Sequence, residues 1–138
     1  MGVVGFIGRV AFVFIFMFFA VPKLMPGPQH DMMLGIMKKG NFPEQFAEPA
    51  LYLAGIISVV GGLAIVFGKT VWGAWLLILF LVPVTIHAHV VPLINDPNDY
   101  LAFMLTVRNV SILGSLLMMI DYAQKVDALK ARGVKKDQ

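Results

Sequence analysis

The sequence predicts an all-α protein, a transmembrane four-helix bundle with a long loop between helices 1 and 2. Three observations carry that expectation. Hydrophobic residues make up 59% of the 138-residue chain and charged residues 14%, with a mean hydropathy of +0.82, whereas soluble domains run at about 45–50% apolar and about 25% charged. Four apolar stretches reach the roughly 20 residues that a helix needs to cross about 30 Å of hydrocarbon. Proline, glycine and charged residues punctuate the links between them.

Span one, residues 3–21, reads VVGFIGRVAFVFIFMFFAV with Arg9 as its only charge, and Pro22, Lys23 and Pro26 end it by breaking the helix and adding a cation. The run enters Pro22-Lys23 without a small-x-small site, so it reads as a retained span and not as a cleaved signal. Span two, residues 49–67, opens with Pro49 in its first turn and closes on Gly68 and Lys69. A link of about four residues then forces spans two and three into an antiparallel hairpin. Span three, residues 71–91, carries Trp72 and Trp75 at one membrane surface and His87 and His89 near the other, with Pro83 inside to free the Leu79 carbonyl and kink the helix. A Pro-, Asn- and Asp-rich turn over 92–99 leads to span four, residues 100–120, and a helical tail over 121–138. The exceptional link is the 26-residue loop from Lys23 to Glu48, in which Met32, Met33, Ile36 and Met37 recur at helical spacing and predict a short amphipathic piece on the membrane.

An even number of crossings places both termini on one side. Seven cations belong to that side (Arg9, Lys69, Lys125, Lys130, Arg132, Lys135, Lys136) against three on the other (Lys23, Lys38, Lys39), which predicts termini facing the cytoplasm, matrix or stroma of a bacterial cytoplasmic or organellar inner membrane. The scattered cations form no basic face with stacking aromatics, so nucleic acid is not an expected partner. The chain has no cysteine, which excludes a disulfide, a thiolate zinc site, an iron–sulfur cluster and a cysteine nucleophile within it.

Arg108 is the least ordinary residue, lying roughly 12 Å into span four at 1.5 Å rise per residue. A guanidinium at that depth needs a counter-charge or a route to water, and no Asp or Glu occurs within the four spans. The candidates are Glu48, Asp96 and Asp99 at the helix ends, carbonyls freed by Pro83, a lipid phosphate, a ligand, or an acid from another subunit; the plain alternative is that Arg108 snorkels outward. Arg9, nearer its own surface, is within expected reach of Asp121 or Asp127. His87 and His89 are two residues apart, about 200° of helical rotation, so they face opposite sides and do not share a metal; no metal site is expected, although one of them with His30 or a loop carboxylate stays geometrically open. Asn109 is placed to bond across the bundle. Gly55, Gly61 and Gly62, with Gly73 and Ala74 across the hairpin, read as close helix contact. There is no nucleophile with a base, no phosphate loop and no carboxylate pair, so no catalytic residue is expected and any redox chemistry would need a borrowed cofactor.

Gly8-Arg9 opening span one, Pro22-Lys23-Leu24 at its end, Phe42-Pro43 before span two, Gly61-Gly62-Leu63 to Gly68 closing it, a histidine late in span three, and Arg108-Asn109-Val110 through Gly114 in span four together resemble the DoxX family of small four-helix membrane proteins over most of residues 5 to 120. The resemblance implies a single four-helix bundle and, for some members, a link to quinone-coupled or thiol-related redox complexes such as a thiosulfate:quinone oxidoreductase; other relatives are assembly factors. Where many relatives carry a glutamate just before the paired glycines of span two, Ser58 stands here, so an acid that would pair with Arg108 is missing.

The expected function is a non-catalytic accessory or structural subunit of a larger respiratory or photosynthetic membrane complex, surrounded by lipid and packed against other transmembrane subunits or copies of itself. The alternative is a quinone- or small-ligand-binding redox component in which Arg108, Asn109, His87 and His89 line an outward pocket, with Arg9 a further partner or ligand contact. Quinone or lipid is the only expected bound molecule. A proton- or sodium-coupled carrier is disfavoured by the short chain and the lack of an intramembrane acid.

Overall fold

The computed structural model describes residues 3–40 and 42–134. Five helical segments account for nearly all of them: α1 (Val3–Leu24), α2 (Pro28–Lys39), α3 (Glu44–Val66), α4 (Thr70–Asn95, with a π-helical turn over Ile86–Val90) and α5 (Tyr100–Val134). α1, α3, α4 and α5 are each long and apolar enough to cross a membrane. They pack in the order α1 on α3, α3 on α4 and α4 on α5, around a core that includes Val13, Phe16, Ile65, Leu77, Leu81 and Leu116.

The long loop expected between the first two spans is not there. Two of its ends are absorbed into helices: α1 runs through Pro22 to Leu24, and α3 starts at Glu44, five residues before Pro49. Pro22 lacks only its own N–H, and the ladder resumes at once with the Met25 N–H donating to the Val21 carbonyl at 3.0 Å. Pro49 likewise costs one bond near the helix start, that to the carbonyl of the exposed residue Gln45. The middle of the connection is α2, begun by Pro28 at a first-turn position. Its apolar spacing is the one anticipated, and it packs across one end of the bundle against α1, α3 and the π turn.

The close approaches fall at glycines. Gly61 and Gly73 meet across the α3–α4 hairpin so tightly that a β-carbon on Gly73 would strike the Gly61 carbonyl oxygen. Gly55 and Gly62 face α1 instead: added β-carbons there would lie 2.7 Å from Leu24 Cδ2 and from Val13 Cγ1 respectively. Gly68 ends α3 with a φ of 87°, and the Gly68 and Lys69 N–H groups donate to the Ile65 and Ala64 carbonyls at 3.2 and 2.8 Å. That pair is a Schellman closure, which needs the left-handed residue glycine supplies. α5 begins at a cap: Asp99 Oδ1 accepts the Ala102 N–H at 2.9 Å. It then continues without a break through the predicted tail and past Gly133; the last four residues of that tail, 135–138, lie outside the described residues, with Lys135 and Lys136 among them.

Candidate functional site: a cationic cluster inside the bundle

The end of the bundle that α2 covers gathers basic side chains from three different spans. Lys23, which the sequence places at a membrane boundary, is 9% exposed. Its Nζ stands 3.5 Å from Ser58 Oγ on α3 and 4.3 Å from the centre of the Phe80 ring on α4. Arg108 on α5 lies with its guanidinium carbon 5.0 Å from the Phe19 ring centre on α1, and its Nη2 is 3.5 Å from Asn109 Oδ1. Phe19 and Lys23 are one turn apart on α1, so Arg108 and Lys23 approach the same face of that helix, and His89, buried late in α4, lies toward the same end of the bundle.

What holds these groups is mostly aromatic faces and long polar contacts. Distances of 3.5 Å sit at the limit of a hydrogen bond, and cation–π contact contributes about 0.5–2 kcal/mol. Ser58 is fully buried and donates its own proton to the Ala54 carbonyl at 2.7 Å, so toward Lys23 its oxygen acts as acceptor. Asn109, also buried, donates from Nδ2 to Thr85 Oγ1 at 3.1 Å, and Thr85 in turn donates to the Leu81 carbonyl. Three buried donor-capable side-chain atoms lack a partner among the described residues: Arg108 Nε and His89 Nδ1 at this end, and Thr70 Oγ1 at the start of α4. Among the described residues the ion pairs are Lys38–Glu44, Lys125–Asp121 and Lys130–Asp127, all exposed.

None of the carboxylates expected for Arg108 reaches it. Asp99 caps α5, Asp96 Oδ1 accepts the Asn98 N–H at 3.0 Å, and Glu48 is exposed. Arg9 does not reach Asp121 or Asp127 either. Its Nη1 is 3.5 Å from the Ile65 carbonyl, which also accepts the Gly68 N–H, at the C-terminal end of α3, where the helix dipole favours a cation. Asp121 and Asp127 instead bond lysines on their own helix, α5.

Of the site residues anticipated from sequence, Arg108, Asn109 and His89 come together. His87 does not: it is exposed, with its ring 6.1 Å from Phe42. The π turn keeps the two histidines on opposite faces, as expected, and it also aims the His87 carbonyl at Gly40, where any β-carbon would collide with it. Arg9 lies at the other end of the bundle beside Gly68. His30 joins neither histidine; its Nδ1 is 3.1 Å from the Pro22 carbonyl, an acceptor only, so that nitrogen carries the proton, and its ring stands 5.3 Å from Tyr52. Sequence reading missed Lys23 and Ser58. The available signal was Ser58 itself, a polar residue within an apolar span, one helix away from the nearest cation.

The fold and its four spans define a multi-pass integral membrane protein. The DoxX family model matches residues 4–90, well over half of the chain, and the protein belongs to the DoxX family. That match contains Lys23, Ser58 and His89 and stops short of Arg108 and Asn109. No curated protein and no solved structure matches the chain.

Proposed function

We infer that this DoxX protein is a membrane-embedded ligand-binding protein, whose cationic centre receives the polar head of a lipophilic molecule. A quinone head group, which the family resemblance suggests, is one such head. The observation that carries the reading is that Lys23 and Arg108 approach one face of α1, with His89 and Asn109 buried toward the same end of the bundle and without a carboxylate among the described residues. Leaving cations unpaired in a low-dielectric interior is costly, and ionisable groups held inside a membrane usually serve function. The basic donor set repels a metal ion, so the ligand is an organic acceptor or an anion. The test is to titrate the purified protein with a decyl-quinone analogue. Saturable binding that Arg108→Leu weakens by about tenfold or more is expected; loss of all saturable ligand binding would remove the reading.

A second reading, an accessory subunit of a larger complex, draws on the outer helices. Only 17% of the apolar window of α1 and of α5 is buried, against 39% of α3, which leaves two long faces for lipid, other subunits or a second copy. Purification in mild detergent tests it: co-purifying membrane subunits support it, and a lone monodisperse monomer counts against it. For either reading we propose termini on the cytoplasmic, matrix or stromal side. Since the chain lacks cysteine, single cysteines at Gln29 and Arg132 should be labelled from opposite faces by an impermeant maleimide.

A further inference from the structure

We propose that the Lys23–His89–Arg108 centre binds an oxyanion head group carried on an apolar tail, that is, an acidic amphiphile of the fatty-carboxylate class. The proposal rests on the ligand-binding reading above and deepens it by fixing the charge of the head and the route of the tail.

Charge comes first. Lys23 and Arg108 meet rings and hydroxyl or amide oxygen, while Arg108 Nε and His89 Nδ1 are buried without a side-chain hydrogen-bond partner, and two like charges brought to one face of α1 repel. A neutral carbonyl would take one or two hydrogen bonds and leave the repulsion in place. An oxyanion takes several donors at once and neutralises the repulsion, which is the arrangement a guanidinium fork with an ammonium beside it recognises best. Ser58 cannot serve as the internal counter-charge, since its hydroxyl is neutral and its proton is committed to Ala54.

Access comes second. On the water side, α2 closes the end of the bundle: His30 is 3% exposed and bonded to Pro22, and Gly40 rests on the His87 carbonyl. On the lipid side, a groove of about 150 Å³ runs between α4 and α5, with walls from Leu81, Val82, Ile86 and Leu113 and with Thr85 and Asn109 at its floor. Asn109 is also the residue that Arg108 touches. None of Lys23, His89 and Arg108 lines this groove, so its link to the centre is Asn109, whose side chain turns aside to admit a head that arrives with its tail in the bilayer.

The experiment uses the full chain in nanodiscs of zwitterionic phosphatidylcholine, titrated calorimetrically with oleate, methyl oleate and inorganic phosphate. Expected is saturable oleate binding, with methyl oleate weaker by about tenfold or more, and phosphate neither binding at the same concentration nor displacing oleate. Lys23→Met and Arg108→Met should each weaken oleate by about tenfold or more, while Arg9→Met leaves it unchanged. Ser58→Asp, which sets a carboxylate beside Lys23, should abolish oleate binding while the melting temperature shows the protein still folded. Equal affinity for oleate and its methyl ester, or unchanged affinity in folded Lys23 and Arg108 variants, overturns the proposal. Phosphate matching oleate overturns the amphiphile assignment. Decyl-quinone binding that depends on Arg108 while oleate does not bind overturns the oxyanion and leaves the ligand-binding reading standing; failure of both probes removes both.

Discussion

Arg9 and Arg108 are both arginines within apolar spans, and neither has a carboxylate partner among the described residues, yet their surroundings differ. Arg9 is a single cation at the C-terminal end of α3, facing the Ile65 carbonyl and partly open to the surface. Helix geometry alone accounts for it. Arg108, half-buried like Arg9, shares its end of the bundle with the buried Lys23 and His89. Nothing in helix geometry calls for a second and third basic group there. The comparison teaches that an unpaired cation in an apolar span is not in itself a reason to propose a site; two of them drawn together from separate spans, with donors left over, are.

The sharpest way to break the contrast is to lift the cover. Gly40→Val puts a side chain where the His87 carbonyl sits and should destabilise the protein by about 3 kcal/mol in reversible unfolding with sodium dodecyl sulfate, while making Lys23 reactive to water-soluble amine reagents. A Lys23 that stays protected would show that α2 is not what buries it. Next in size, Lys23→Met should raise the stability of the ligand-free protein by about 1–3 kcal/mol, because it removes desolvation and repulsion together. Arg9→Met should change it by less than about 1 kcal/mol. A destabilising Lys23→Met would mean that the cluster is already neutralised from within. At the Arg9 end, Gly68→Ala should cost about 1–2 kcal/mol for its left-handed φ. The smallest effect is expected from Asn109→Ala, about 0.6 kcal/mol for a bond between membrane helices, read as a shift in thermal midpoint.

Much of this molecule was legible in advance because its solvent is hydrocarbon. Long apolar runs and the closed hairpin at Gly68 needed no tertiary information, since only a helix satisfies its backbone in lipid. The Met32, Met33, Ile36 and Met37 spacing was enough to anticipate α2. The site was half legible: Arg108, Asn109 and His89 stand out as polar residues in apolar company. Lys23 did not, because beside two prolines at the end of an apolar run a lysine has the pattern of an interfacial anchor, and only a helix folding back across that end converts it into a buried charge. The partner assigned to Arg9 failed for a related reason: an acid near in sequence position along the membrane normal still lies on whichever helix face packing gives it.

The sequence by itself determined the helices, their membrane-spanning character and the shortage of acids near Arg108, all of which follow from composition and period. Only the tertiary structure decided which cations meet. That depends on how α1 packs on α3, with Leu24 and Val13 against Gly55 and Gly62, on how α5 packs on α4, and on α2 resting Gly40 on the His87 carbonyl, contacts that join separate segments of the chain.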